Sequence, residues 1–116
     1  MATRTIFGSD AQRIRAGTTP TFSLDLVDEA GAPLTSLTTI TGKLYDLVTG
    51  QVINGRNGFD LSGSFSAGHL AWPSTVLDTP ILSTTREVEA HALLISWTWG
   101  SGKAGAHEVE HFVVRS

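Results

Sequence analysis

The chain has 116 residues, 41% hydrophobic and 16% charged, with a formal net charge of −3 and no cysteine. That length suits one domain, and the apolar share is enough for a core and argues against wholesale disorder. The negative balance speaks against nucleic acid as a partner, and the lack of cysteine excludes disulfides and thiolate chemistry.

The N-terminal run, Met-Ala-Thr-Arg-Thr-Ile-Phe-Gly, has no apolar signal-peptide core. No stretch approaches the roughly 20 apolar residues that span a bilayer. The expectation is a soluble protein without its own export signal and without a membrane partner, made in the cytosol. Charge is uneven along it: residues 1–20 carry +2, from Arg4, Arg13 and Arg15 against Asp10, which leaves −5 for the rest. A mildly basic N-terminal arm suits an acidic surface. Three solvated arginines on an edge strand explain the same residues without a partner.

Residues 1–8 read as an extended arm, broken by Gly8-Ser9-Asp10. Residues 12–15 form a first strand that ends at Gly17. In residues 21–27, Phe22, Leu24 and Leu26 alternate with Ser23 and Asp25, the period-two pattern of a half-buried strand. Asp28-Glu29-Ala30-Gly31-Ala32-Pro33 is a turn. Residues 40–46 are the next strand, with Ile40, Gly42 and Leu44 on one face. Thr49-Gly50 turns it into residues 51–53. Asn54-Gly55 and Asn57-Gly58 then predict a tight, exposed reversal, because both positions of an Asn-Gly pair tolerate positive φ. Phe59, Leu61 and Phe65 predict a strand with Gly63 as its weak point. Residues 69–72 are a short strand ending at Pro73, and residues 73–86 are the least regular part. Residues 87–99 are the longest strand candidate, with Glu89, His91, Leu93, Ile95, Trp97 and Trp99 on one parity. A hairpin loop over residues 100–106 leads to a last strand over 108–115. These turn spacings suit a β-sandwich of about seven or eight strands.

No constellation predicts catalysis, a cofactor or a metal. His107 and His111 stand four apart on a strand, about 13 Å at ~3.4 Å per residue, too far to share one zinc ion. With a hairpin turning near Lys103, His111 falls opposite Ile95, away from His91. The four histidines (His69, His91, His107 and His111) then read as strand-face residues at a sheet edge or protomer contact. Gly100-Ser101-Gly102-Lys103-Ala104 lacks the leading glycine, the Ser or Thr, and the helix of a phosphate loop. No Gly-x-Ser-x-Gly elbow occurs. Glu108 and Glu110 alternate with apolar residues as a solvated face does. Trp97 and Trp99, about 7 Å apart on one face, have two readings: a platform for a host glycan, or core and interface packing.

Residues 22–34 (Phe-Ser-Leu-Asp-Leu-Val-Asp-Glu-Ala-Gly-Ala-Pro-Leu), then 40–46 (Ile-Thr-Gly-Lys-Leu-Tyr-Asp) and Thr49-Gly50, form a strand, an acidic Gly-x-Pro turn, a Leu-Thr loop and a second strand. This run resembles small immunoglobulin-like virion proteins of tailed bacteriophages and the N-terminal β-domain of phage upper-baseplate proteins. The resemblance implies an all-β, immunoglobulin-like antiparallel sandwich over residues 11–116 behind an extended arm over residues 1–10. It implies a non-enzymatic structural protein without cofactor, made in the host cytoplasm and carried in the virion. Its role there would be capsid decoration or cement, head–tail neck, or tail adaptor. Its partners would be major capsid, portal, neck or tail proteins and further copies of itself. The residues expected to meet partners are Arg4, Ile6 and Phe7 on the arm, Trp72 beside Pro73, and Trp99. The arm would add a strand to a neighbour's sheet.

Overall fold

Alternation decides which side chains go inside, and two sheets close over them. The computed structural model describes residues 5–7 and 12–115, apart from the side chains of Thr5 and Phe7. Arg4, the side chain of Phe7 and the Gly8-Ser9-Asp10 break lie outside the described residues. Among the described residues there are nine strands: β1 (Thr5–Phe7), β2 (Gln12–Arg15), β3 (Thr21–Asp25), β4 (Thr39–Asp46), β5 (Val52–Asp60), β6 (Phe65–Ser66), β7 (His69–Pro73), β8 (Val88–Trp99) and β9 (Lys103–Val114). Two short 3₁₀ turns, Ser62–Ser64 and Val76–Asp78, complete the elements. No helix among the described residues is long and apolar enough to cross a membrane.

The strands form a four-stranded sheet, β1-β3-β7-β6, and a five-stranded sheet, β2-β9-β8-β4-β5. This is the all-β sandwich that the alternation predicts, in the strand order of an immunoglobulin sandwich with one strand added beside β4 and another beside β9. The ladders are antiparallel except at the N-terminal edges, where β1 runs parallel to β3 and β2 parallel to β9. The N-terminal segment thus supplies one edge strand to each sheet, and these strands of 3 and 4 residues leave little unpaired backbone at those edges.

Ile6 pairs with Phe22 and is fully buried. It belongs to this chain's own core, which corrects the expectation of an exposed arm residue waiting for a partner. Trp72 is corrected likewise. It is buried, lies 5.6 Å from the Phe22 ring and 5.0 Å from the Phe59 ring, and fills the sandwich rather than an interface. Opposite these side chains, Ile14, Ile40, Leu44, Leu93, Ile95, Val109 and Val113 cover the inner face of the five-stranded sheet. Gly42 sits on that face because a Cβ there would come within 2.8 Å of the Phe59 ring and 2.9 Å of Leu61.

The Thr49-Gly50 turn forms where expected, whereas two other expected turns and one expected strand are displaced. The chain reverses at residues 47–50, where the Asp46 carboxylate accepts the Val48 and Thr49 N–H groups at 2.8 and 3.0 Å. With that reversal made, both Asn-Gly pairs stay inside β5, and their positive φ angles are absorbed as register shifts against β4. The strand expected through Phe59, Leu61 and Phe65 is broken by the first 3₁₀ turn, and Leu61 drops into the core. The last hairpin turns at Gly100-Ser101-Gly102, with Trp99 opposite Lys103, so residues 103–106 are strand rather than loop.

Because β1 is part of the core, Ile6→Ala is expected to lower unfolding stability by roughly 2–5 kcal/mol, as large-to-small core changes do. Equilibrium urea unfolding reads this directly, and an unchanged midpoint would return β1 to the status of an accessory arm.

Candidate functional site

The inner face of the five-stranded sheet turns polar at one end. β4, β8 and β9 place Asp46, His91 and His111 on a single rung, Asp46 opposite His91 and His91 opposite His111. Glu89 stands two residues before His91 on the same side of β8. All four are buried. The expectation that His111 faces Ile95 and leaves His91 out of reach is corrected here. The hairpin turns two residues earlier than expected, which moves every β9 partner by four and keeps the same face. His91 and His111 are also interior, with ring centroids 5.9 Å apart. His69 instead bonds the exposed Asp25 at 2.7 Å, and His107 is half-buried on β9.

Glu89 accepts the backbone N–H groups of Leu82 and Ser83 at 2.9 and 2.7 Å, and His91 Nε2 at 2.9 Å. Arg86 reaches Glu89 Oε2 at 3.3 Å and Asp46 Oδ2 at 3.5 Å. The irregular segment before β8 is thus folded over the end of the sandwich by one glutamate. Burial pushes both carboxyl groups up, but it is outweighed. For Asp46 the N–H groups of Thr49 and Val48, then Arg86 and His91, hold the pKa below the ordinary value. For Glu89 the Leu82 N–H, His91, the Ser83 N–H and Arg86 do the same. His111 goes the other way: burial pushes it down from 6.5 to about 4, against the weak pull of the Val109 carbonyl. It is neutral at pH 7. Its Nδ1 faces that carbonyl at 3.3 Å, which assigns the proton to Nδ1 and leaves Nε2 bare. Among the described residues, His91 Nδ1 and His111 Nε2 are buried without a hydrogen-bond partner.

Asp46, Glu89 and His91 offer ligand atoms within 4.8 Å of one another. Two carboxylates and an imidazole are a plausible donor set for a divalent transition metal. The geometry does not favour one. Both Glu89 oxygens already accept hydrogen bonds, and Arg86 supplies the positive charge that a metal would bring. Only Arg86 reaches solvent, so a substrate has no contact with the three acceptors unless the covering segment moves. The cluster is a closed polar tie between β4, β8, β9 and the crossover. The signal for it was present in the sequence. Glu89 and His91 share the parity of Leu93 and Ile95, and Asp46 shares that of Ile40 and Leu44.

The second polar tie holds the Val76–Asp78 turn. Asp78 is buried and accepts Asn54 Nδ2 at 2.9 Å, Arg56 Nε and Nη2 at 3.0 and 3.3 Å, and the Thr75 N–H and hydroxyl at 2.7 and 3.0 Å. Arg56 lies over the Phe59 and Trp72 rings at 5.0 and 5.3 Å.

Trp97 and Trp99 are half-buried and pack against the core, on the inner face of β8. A Cβ on Gly105 would come within 2.6 Å of the Trp97 indole. The outer face of the same sheet is different. Thr39, Thr41, Ser96, Thr98, Ala104 and Ala106 border a shallow depression of about 460 Å³. Glu108 and Glu110 are exposed farther along it. Tyr45, on β4, is pushed up to about 12, by burial first and then by Glu108 and Glu110.

Two outcomes follow for the buried cluster. Between pH 6.5 and about 4 the unfolded chain protonates His111 while the fold does not, so the His111 contribution to stability falls as pH drops through that window and is constant below it. The swing is worth about 3 kcal/mol, and His111→Leu is expected to flatten it in urea titrations run across that range. Asp46 and Glu89 lose their contribution only at lower pH, as they protonate below the ordinary carboxylate range. Arg86→Met leaves two buried carboxylates facing one histidine and is expected to cost about 2 kcal/mol at pH 7, measured by the same unfolding assay. Compared with known protein families, with curated proteins and with solved structures, the chain matches none.

Proposed function

We propose that this chain is a non-enzymatic structural protein of a tailed-phage virion that docks on neighbouring virion proteins through the outer face of its five-stranded sheet. The observation that carries this is the makeup of that face. Six small side chains, Thr39, Thr41, Ser96, Thr98, Ala104 and Ala106, stand side by side on β4, β8 and β9. Covering Ala, Ser and Thr forfeits little rotamer entropy, whereas covering Lys or Glu forfeits much. The Thr39 and Thr98 hydroxyls bond each other at 2.7 Å, so they ask little of a partner. Such a plane suits a broad protein surface better than a small ligand, which needs a deeper, enclosing site.

The virion assignment rests on the resemblance carried by residues 22–50. Synthesis in the host cytoplasm followed by assembly into the particle goes with it. Capsid, portal, neck and tail proteins are the partners that reading implies.

The test is mass spectrometry of purified phage particles made with the wild-type chain or with Ala106→Arg, which puts a long charged side chain on the exposed face. Wild type is expected at fixed stoichiometry in the particle and the variant depleted at least about tenfold, the scale of one central interface residue. Particles that lack the wild-type chain would sink the reading, and full incorporation of the variant would move the contact to another surface.

A further inference from the structure

The Val76–Asp78 turn presents two large apolar side chains to solvent, Val76 at 53% and Leu77 at 66% exposure. Single exposed apolar residues are ordinary. These two are adjacent, and the turn beneath them is fixed by the buried Asp78, which gathers donors from Asn54, Arg56 and Thr75. A fixed apolar pair forfeits little entropy when it is covered, which is what a binding anchor needs.

The chain also carries a matching recess. Leu37, Ile40 and Phe65, with Thr35, Ser36 and Ser62 at the rim, line a depression of about 290 Å³. That is the small end of the range for ligand sites, sized for a side chain or two. It lies beside the start of β7, where Phe65 pairs with Leu70, whereas the apolar pair lies beyond the end of β7. The two features therefore occupy different places on one molecule, and a copy can offer one and receive the other.

Charge agrees with that match. Arg56 flanks the apolar pair. Two of the five guanidinium N–H donors face Asp78, and the side chain stays 28% exposed. Asp60 flanks the recess through its bonds to the Ser62 N–H and hydroxyl at 2.9 and 3.0 Å. Those bonds hold its carboxyl below the ordinary value, hence charged at neutral pH. A cation beside the plug and an anion beside the socket attract when the plug of one copy enters the socket of another.

We propose that this chain self-associates by seating Val76 and Leu77 of one copy in the recess formed by Leu37, Ile40 and Phe65 of a second copy, with Arg56 of the first facing Asp60 of the second. Plug and socket are different surfaces, so each contact is heterologous. The symmetry that closes the assembly appears in its mass.

The experiment is light scattering after size exclusion, at protein concentrations up to about 1 mM. Wild type is expected to exceed monomer mass as concentration rises. Leu77→Ser removes the plug and Ser36→Trp fills the socket from an exposed rim position. Each alone is expected to stay monomeric, with the dissociation constant raised at least about tenfold and with wild-type circular dichroism and melting. Mixed in equal amounts, the two variants are expected to form a complex of two chains and nothing larger, because one plug and one socket remain intact. A wild type that stays monomeric throughout overturns the proposal. So does a Leu77→Ser variant that keeps the wild-type mass, or a mixture no heavier than its parts. Incorporation into particles is read separately, so failure here leaves the docking role of the outer sheet face standing.

Discussion

Each side chain of β8 is committed to one face by pairing with β4 on one side and with β9 on the other. A slip of one residue on either ladder would turn Leu93 and Ile95 outward and bring Leu94 and Ser96 in. Two devices hold the register. The Gly100-Ser101-Gly102 turn closes the β8–β9 hairpin with positive φ at both glycines. Gly42 on β4 and Gly105 on β9 leave the inner face open where Phe59, Leu61 and Trp97 must lie. Shift either glycine by one position and a Cβ would meet a ring. Shape thus selects the same pairing that hydrophobicity prefers.

The same register carries Glu89, His91, Asp46 and His111 indoors, and that has an energetic consequence. Burying ionised groups is unfavourable unless their hydrogen bonds and charge are met inside, and an ion pair does not always repay it. Here the carboxylates meet backbone N–H groups of two separate loops before they meet Arg86. An apolar replacement could fill the volume of Glu89, but it could not hold Leu82 and Ser83. In a sandwich without disulfides, that hold fixes how the long crossover from β7 to β8 returns to the sheet. The bare nitrogens of His91 and His111 mark where the network is incompletely satisfied, and protonation of His111, which burial disfavours, opposes the fold in acid.

Strand parity made the inner faces legible. Ile40, Gly42 and Leu44, or Leu93 and Ile95, can be assigned from alternation alone, and the same parity carries Glu89 and His91 to the inner face. The cross-strand site was harder because it depends on where the hairpin turns. Gly100-Ser101-Gly102-Lys103 permits more than one turn position, and moving the centre by two residues exchanges Ile95 for His91 as the partner of His111. The Asn-Gly pairs misled for a related reason. Positive φ marks a backbone conformation, and a bulge inside β5 uses it as well as a hairpin does. Ile6 and Trp72 read as interface residues because a sequence shows how apolar a side chain is but not which chain covers it.

Arg56 shows how interior and surface are coupled in this molecule. Its guanidinium lies over Trp72 and Phe59, so it closes the core between β5 and β7. Its Nε and Nη2 hold Asp78, so the same side chain fixes the turn that exposes Val76 and Leu77. Lysine would keep the charge but not the planar stacking or the two-point grip. A loss at position 56 would therefore loosen the turn from inside without touching either exposed residue. Surface recognition at that turn then depends on core packing, and a change in Trp72 or Phe59 would reach the surface through Arg56. The outer face of the five-stranded sheet has no comparable link, since its small side chains take their positions from the ladder itself. The two surfaces can therefore vary independently of each other.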